Sequence, residues 1–316
     1  MGPAGRARTV FFGSGRFGVP ILEALVAAPE VELVGVVSVP DRPVGRSQTV
    51  TPTPVAARAV ELGLPVLRPI RLRDPEAVAE IAALAPGLGV LADYGRIVPP
   101  AILDLPERGI LNVHPSLLPR HRGATPIPAA ILAGDAKTGV TLIRMDAGVD
   151  TGPRLAWESW PLDVTATAPE LEERAATAGA SLLRRSLAGW LDGSLDAHPQ
   201  REAGASTTRP LRRADGRLDP TASATTLERQ VRAYQPWPGS SVDTPVGRLG
   251  VWRATLARRE EGDEPGTFVD HAGWPALVAA DGRLVLAEVQ PAGGRRMSGR
   301  EFLRGRGRDV VARGTG

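Results

Sequence analysis

An amide and an imidazole lie two residues apart in the stretch NVHPSLLPRHRGATP, residues 112–126. Asn112 and His114 end the apolar run GILNVHP, which is typical of a buried strand. Side chains at i and i+2 of a strand leave the same face, roughly 6–7 Å apart. An amide beside an imidazole can stabilise a developing oxyanion while protons move. The pair is a candidate for this chemistry, although a single buried histidine is more often a hydrogen-bonded core residue.

The loop that follows this strand is a candidate ligand site. Pro115 ends the strand, and Ser116, Leu117, Leu118 and Pro119 begin an irregular segment. Backbone groups in such a segment have no strand partner, so they are free to bind a flat heterocycle. Ligands of open α/β sheets bind beyond the carboxyl ends of the strands, which is where this segment starts.

A glycine-rich turn, VFFGSGRFG, suggests a different kind of site near the N-terminus. Gly13, Gly15 and Gly18 stand between a strand and the helix-like PILEALVAA, with the spacing of a dinucleotide-binding fingerprint. Asp41 lies 23 residues beyond Gly18, near where a ribose-binding acid is expected. However, Asp41 lies in PDRP, beyond the second strand, where a turn also explains it. At this point a nucleotide site stays open as an alternative.

Strand and helix signals alternate through the first two-thirds of the chain. Apolar runs predict strands at VFF (10–12), VELVGVVSV (31–39), GVLADYG (89–95), GILNVHP (109–115) and TGVTLIRMD (138–146). Helix-like segments of about ten residues separate them, and a longer helix is predicted at 168–192. This alternation predicts an α/β fold with a Rossmann-like, mostly parallel sheet covered on both faces.

The pattern changes after this helix. A polar segment rich in Gly, Pro and Ser is followed by one short helix, TTLERQVRAY, and by several short strand-like runs between Gly and Asp turns. Such runs are typical of a small β-barrel. We therefore predict an α/β domain at 1–195, a linker at 196–212 and an OB-like β-barrel at 213–316. The last residues, 304–316, are expected to fray.

Composition excludes several classes of site. The 316 residues include no cysteine, which rules out disulfides, thiolate zinc sites and cysteine nucleophiles. No run approaches the roughly 20 apolar residues that span a bilayer, and the N-terminus lacks the apolar core of a signal peptide. We therefore expect a cytoplasmic protein without a membrane partner.

Positive charge is concentrated towards the C-terminus. Residues 201–316 carry 19 arginines against 14 acidic residues, whereas residues 1–200 carry 19 basic and 21 acidic residues. A basic region favours a polyanionic partner such as nucleic acid, with a solvated basic surface as the alternative.

The segment from Asn112 to Gly123, N-x-HPSLLP-x-x-RG, resembles the signature of the folate-dependent formyltransferases. These enzymes move a formyl group from 10-formyltetrahydrofolate to an amine. The resemblance implies that Asn112 and His114 are catalytic and that Ser116 to Pro119 line the folate site. It also implies that no metal is needed, since the formyl donor is already activated.

The third catalytic residue of that family is an aspartate in a loop M-D-x-G-x-D-T-G, and MDAGVDTG (145–152) is similar to it. By residue type alone, Asp146 and Asp150 are equal candidates, and either could be a turn carboxylate. The resemblance selects Asp150. It also gives the glycine turn another role, because family members keep such a turn after the first strand without binding a dinucleotide.

The resemblance extends over essentially the whole chain. RAYQPWPG (232–239) and LAEVQPAGGRRMSGREFLRG (286–305) look like the C-terminal barrel of the family members that formylate tRNA. PDRPVGRSQTVTPTPV (40–55) resembles the loop that those members place against the tRNA acceptor arm, with Arg42 and Arg46 as its cations. The resemblance therefore implies tRNA as the partner.

The expected reaction is formyl transfer from 10-formyltetrahydrofolate to the α-amino group of methionyl initiator tRNA, by a monomer. Within the family, formylation of an amino sugar and hydrolysis of 10-formyltetrahydrofolate remain alternatives. An RNA-binding protein without activity is the alternative from another class, and the intact Asn112, His114 and Asp150 argue against it.

Overall fold

The computed structural model describes residues 5–44 and 49–312. Two compact units divide the chain. One contains the described parts of Met1–Pro126, Lys137–Pro161 and Glu172–Arg209, and the other those of Ile127–Ala136, Leu162–Leu171 and Pro210–Gly316.

The elements up to residue 208 are, in chain order, β1 (Ala7–Gly13), α1 (Gly18–Val26), β2 (Val31–Val37), β3 (Arg42–Val44), β4 (Thr49–Thr51), α2 (Pro54–Glu61), β5 (Val66–Leu67), α3 (Pro75–Ala83), β6 (Leu88–Ala92), α4 (Pro100–Leu103), β7 (Ile110–His114), β8 (Arg122–Gly123), α5 (Pro126–Ala133), β9 (Lys137–Arg144), β10 (Arg154–Pro161), α6 (Ala168–Asp192) and β11 (Thr207–Thr208). All five predicted strands and the long predicted helix are present. The strand β10, in which only Leu155 and Trp160 are buried, was not among the predictions.

Seven of these strands form one sheet in the order β10-β9-β7-β6-β1-β2-β5. The strands from β7 to β5 pair in parallel, and β9 and β10 continue the sheet antiparallel to β7 and to each other. The predicted mostly parallel α/β fold is thereby confirmed. The loop between β9 and β10 is too short for a crossover, so these two neighbours must be antiparallel.

The strand β1 is an interior strand of the sheet, with β2 on one side and β6 on the other. The chain therefore reverses its direction of winding beside β1, which is where open α/β sheets bind ligands. Because β1, β6 and β7 are parallel, their carboxyl ends lie at the same edge of the sheet. This edge carries Gly13, Ala92 and His114.

The C-terminal elements are a 3-10 helix (Arg213–Gly216), α7 (Ala224–Ala233), β12 (Ser240–Thr244), β13 (Gly247–Arg258), β14 (Phe268–His271), β15 (Trp274–Val278), β16 (Gly282–Pro291), β17 (Met297–Ser298), α8 (Gly299–Arg304) and α9 (Arg308–Ala312). The strands form one antiparallel sheet in the order β12-β13-β16-β15-β14, with β17 on β16. Register shifts within Val251–Ala254 bend β13 against β16, as the curvature of a small barrel requires.

A hydrophobic cluster holds this second sheet together. Leu227 and Val231 of α7 belong to it, together with Leu286 and Phe302. Val310 is in the same cluster and is only 2% exposed. The expectation that residues 304–316 fray is therefore wrong for α9, because Val310 anchors this short helix in the core.

Among the described residues, no helix has both the length and the apolar character needed to cross a membrane.

Candidate active site

Asn112 and His114 lie at the carboxyl end of β7, a strand flanked by β6 and β9. Both side chains are buried, with 5% and 4% of their surface exposed. Polar groups buried to this extent need hydrogen-bond partners, because each unsatisfied group costs roughly 1–3 kcal/mol. Their partners define the geometry of the site.

The carboxylate of Asp150 supplies the main partner. Asn112 Nδ2 donates to Asp150 Oδ1 at 2.9 Å, and His114 Nδ1 lies 3.5 Å from Asp150 Oδ2. The backbone N–H of Gly123 also donates to Oδ2, at 2.7 Å. The structure thus brings together the three residues predicted to be catalytic, from the end of β7 and from the loop between β9 and β10.

The other ring nitrogen of His114 lies 3.0 Å from the backbone oxygen of His121. A carbonyl oxygen can only accept a hydrogen bond, so the proton of the neutral imidazole must be on Nε2. We assign this tautomer from the hydrogen-bond geometry. Consequently, Nδ1 carries the lone pair of the neutral ring, and it lies on the side of Asp150.

Asp150 and Asp146 have different surroundings. Asp146 is exposed, and its Oδ1 accepts from the Gly148 N–H at 3.0 Å and from the Thr151 hydroxyl at 2.7 Å, which is a local turn. Asp150 has a left-handed backbone, with φ of +54°, and its carboxylate faces the histidine. Of the two aspartates, only Asp150 lies against the Asn112–His114 pair.

The predicted folate-lining segment has two inward-facing and two partly exposed residues. Ser116 and Leu118 are buried, and the Ser116 hydroxyl donates to the backbone oxygen of Arg120 at 2.7 Å. Leu117 and Pro119 are partly exposed. Leu117 and Pro119 are therefore the two residues of this segment that keep accessible surface, while Ser116 bonds within the loop and Leu118 is buried beneath it.

The N–H groups of the glycine turn form hydrogen bonds within the protein. The N–H groups of Ser14 and Gly15 both donate to the backbone oxygen of Asp93, at 3.0 and 3.1 Å. A Cβ built at Gly15 would lie 1.6 Å from Asp93 Oδ2, so the carboxylate occupies the face that a pyrophosphate would need. A side chain at position 15 would have to displace this carboxylate.

Two carboxylates share the start of α1. The backbone N–H of Phe17 faces the carboxylates of both Asp93 and Glu172 and opposes the rise in their pKa values. Asp93 as a whole residue is exposed, but burial of its carboxylate, helped by the negative charge of Glu172, raises its pKa to about 7. Burial also raises the pKa of Glu172, against the opposing effect of Arg16. A helix N-terminus that already faces two acids is a poor site for a phosphate.

The two residues predicted to contact tRNA differ in what can be said of them. Arg42 is exposed in β3, which pairs with β4 as a short hairpin. Arg46 lies outside the described residues. Within residues 5–44 and 49–312, no three His, Cys, Asp or Glu side chains are placed to hold a metal ion.

Residues that sequence reasoning did not select complete the site. Gln200 and Arg122 contact each other, and Gln200 also contacts the loop that carries Asp150. Thr141 lies on β9, opposite His114 of β7. Its hydroxyl accepts from the Leu118 N–H and donates to the backbone oxygen of Ser116. Arg122 belongs to the recognised RG motif, but Gln200 lies in a polar segment that carries no signal of a site.

Family models match most of the chain. The model described as "Formyl transferase" matches residues 7–187, and that described as "Formyl transferase, C-terminal domain" matches residues 210–307. A protein of Roseiflexus sp. named methionyl-tRNA formyltransferase is 44% identical over 299 residues, covering 94% of this chain and 92% of its own. A protein with the same name from Halorhodospira halophila is 44% identical over 304 residues, covering 95% of this chain and 96% of its own.

Solved structures share the fold at lower identity. The N-formyltransferase from Helicobacter canadensis, solved with folinic acid and dTDP-3-aminofucose, has a TM-score of 0.66 at 17% identity, covering 92% of this chain and 100% of its own. HypX from Aquifex aeolicus, solved with tetrahydrofolic acid, has a TM-score of 0.61 at 18% identity, and the match covers 97% of this chain and 48% of HypX. With both family models matched and relatives this similar over nearly the full length, the chain belongs to the formyl transferase family.

Proposed function

We propose that this chain transfers the formyl group of 10-formyltetrahydrofolate to the α-amino group of methionyl initiator tRNA. The observation that carries the proposal is the 44% identity, over 94% of the chain, to a protein named for that reaction. The identity spans both of the regions matched by the family models. The arrangement of Asn112, His114 and Asp150 supports the same chemistry.

In the proposed reaction, the amine nitrogen adds to the formyl carbon, and the formyl oxygen becomes an oxyanion. Asn112 Nδ2 carries two hydrogens, and its bond to Asp150 uses only one. The second can donate to the oxyanion. A preorganised donor of this kind is typically worth a factor of about 100 to 1000 in rate.

The proposed intermediate then collapses, so that the bond between the formyl carbon and the folate nitrogen breaks. The attacking amine must lose a proton, and the departing nitrogen must gain one. His114 Nδ1 and the Asp150 carboxylate, 3.5 Å apart, form the pair that moves this proton, with water completing the path. General acid–base assistance contributes roughly 100- to 10,000-fold.

Folate and tRNA are proposed to bind at different surfaces. Ser116 to Pro119 form the folate-lining segment, of which Leu117 and Pro119 are partly exposed. Arg42, Arg46 and the arginines of residues 213–316 would neutralise tRNA phosphates, and this electrostatic binding should weaken as salt rises.

The proposal includes the organisation of the chain. A catalytic domain at 1–195, a linker at 196–212 and a tRNA-binding β-barrel domain at 213–316 agree in outline with the family matches at 7–187 and 210–307. We further propose that the enzyme acts in the cytoplasm as a monomer.

The reaction is tested with purified protein, 10-formyltetrahydrofolate and methionyl initiator tRNA, with formylmethionine followed by mass. A parallel reaction omits tRNA and follows tetrahydrofolate release, and a third offers a dTDP-linked amino sugar. Formylation of the tRNA that disappears in His114→Ala is the expected result. Release without an acceptor would instead indicate a hydrolase, and product only with the sugar would indicate a sugar enzyme.

A further inference from the structure

One side chain from the segment after α6 contacts the loop that carries Asp150. Gln200 Nε2 donates to the backbone oxygens of Asp150 and Gly152, each at 2.7 Å. These two bonds use both hydrogens of the amide nitrogen. Gln200 therefore binds the backbone on both sides of Thr151.

Arg122 fixes which way the amide of Gln200 points. Its Nε and Nη2 both lie 3.1 Å from Gln200 Oε1. A guanidinium can only donate and a backbone carbonyl can only accept, so only one of the two amide orientations satisfies both neighbours. Because Arg122 is only 5% exposed, turning the amide over would leave buried donors facing donors.

Two further contacts hold Arg122 in place. Its Nη1 and Nη2 lie 3.2 and 3.1 Å from the carboxylate oxygens of Glu202. Arg122 and Gly123 form β8, which pairs in parallel with Thr207 and Thr208 of β11. The chain from residue 200 to 208 is thus fastened to the active-site segment at both of its ends.

The backbone of Asp150 needs such support. Its φ of +54° lies in the left-handed region, where a residue with a side chain is strained and depends on its surroundings to stay there. The bonds from Gln200 reach the carbonyl of Asp150 itself and the carbonyl two residues later. They hold the turn that directs the carboxylate at His114 Nδ1.

We propose that Gln200 is a positioning residue for formyl transfer, oriented by Arg122 and acting through the backbone that carries Asp150. This role rests on the proposed function. In the proposed reaction, Gln200 contacts none of the reacting atoms. It keeps the Asp150 carboxylate within reach of both Asn112 and His114.

The variant Gln200→Ala removes both donors. We expect kcat to fall roughly 10- to 100-fold, because small misplacements of a catalytic group have effects of this size. The KM values should stay close to those of the unmodified chain, since neither hydrogen bond involves substrate. Gln200→Glu keeps the length and an acceptor for Arg122 but sets an oxygen against two carbonyl oxygens, so it should lower kcat at least as much.

A matched control is available in the C-terminal unit. Gln230 Nε2 also donates to two backbone oxygens, those of Asp215 and Arg217, at 3.1 and 3.2 Å. Gln230→Ala therefore removes an equivalent pair of bonds, and we expect it to leave kcat unchanged. Thermal unfolding of the two alanine variants compares their costs in stability.

Amide hydrogen exchange of residues 145–153, measured without substrate, gives a second readout. Faster exchange in Gln200→Ala than in Gln230→Ala, together with the fall in kcat, supports the proposal. Unchanged exchange in this loop, or unchanged kcat, overturns it. If the unmodified chain formylates no methionyl-tRNA, the proposed function fails, and the exchange comparison alone then decides whether Gln200 holds the loop.

Discussion

The carboxylate of Asp150 connects the polar groups of the site. Each of its oxygens receives a hydrogen bond, Oδ1 from Asn112 and Oδ2 from the N–H of Gly123. The same Oδ2 faces His114 Nδ1. One side chain thus orients the amide of Asn112 and faces the imidazole of His114.

Asp150→Asn tests the charge of this side chain. Asparagine tolerates the left-handed backbone and keeps the size, so the fold should persist. However, the neutral amide offers one acceptor fewer and no negative charge to His114 Nδ1. We expect kcat to fall by about 100-fold or more, measured in the formylation assay. The melting temperature should also fall somewhat, because the new amide nitrogen must face a donor, either Asn112 Nδ2 or the Gly123 N–H.

Asp146→Asn is the matched control, since it makes the same change in the same loop at the exposed turn. Its kcat should equal that of the unmodified chain. Equal reductions of kcat in the two variants would contradict the assignment of the catalytic carboxylate to Asp150.

Asn112→Ala tests the proposed role of Asn112 as the oxyanion donor. We expect kcat to fall by about 100- to 1000-fold, the usual cost of removing one such donor. Affinity for methionyl-tRNA, measured by filter binding, should be retained, because Asn112 is buried at the end of β7. An RNA-binding protein without catalysis would instead show no difference in either measurement.

At the scale of elements, the contact between the glycine turn and the end of β6 has a consequence for stability. Asp93, just after β6, has its pKa raised from 3.8 to about 7. Between these values, the folded chain holds a proton that the unfolded chain has released. Asp93 therefore favours folding most below pH 4, and this contribution disappears as the pH rises through 7.

Asp93→Asn replaces this carboxyl with a neutral group that also suits the φ of +51°. The melting temperature of the variant, relative to the unmodified chain, should rise between pH 4 and pH 7 and then level off. Thermal unfolding across this range measures the difference.

Asp192→Asn serves as the comparison. Hydrogen bonds from the Ser194 hydroxyl and backbone lower the pKa of Asp192, so its contribution disappears only as the pH falls below its ordinary range. The difference in melting temperature for this variant should stay constant from pH 5 to pH 8. A pH-independent difference for Asp93→Asn as well would contradict the role of the buried carboxylate.

At the scale of the whole molecule, the proposed phosphate contacts of Arg42 and of the arginines beyond residue 200 predict salt-dependent binding of tRNA. Removing one cation that neutralises a phosphate should reduce the slope of log affinity against log salt by about 1. Arg42→Ala is expected to show this reduction. Arg58→Ala is the control, because its guanidinium is already paired with Glu23 and Glu61. Equal slopes for Arg42→Ala and the unmodified chain would exclude Arg42 as a phosphate ligand.

Much of the fold follows from local patterns. The runs that became β1, β2, β6, β7 and β9 are apolar enough to be identified as buried strands, and α6 spans the residues predicted for it. The antiparallel placement of β9 and β10 did not follow, because strand direction depends on which edge a strand joins. The short helix α9 was missed because one buried valine carries too little periodic signal.

The candidate site likewise has residues that the sequence predicts and residues that only the structure reveals. Asn112 and His114 are recognisable because a strand of period 2 puts them on one face, and the motif around them is continuous in the chain. The choice of Asp150 over Asp146 came from a resemblance, and the distances to Asn112 and His114 are what distinguish the two aspartates in space. Gln200, 50 residues from Asp150, carries no local mark of its contact.

Residue types and their spacing were thus sufficient for the α/β class, the catalytic candidates and the resemblance to a family, since these depend on contacts within a few residues. Folding was needed to bring Gln200 to the Asp150 loop and Asp93 onto Gly15. The glycine turn shows the difference most clearly. Its spacing is that of a dinucleotide site, but two of its amides donate to the backbone oxygen of Asp93, almost 80 positions away, because packing of β6 beside β1 places Asp93 there.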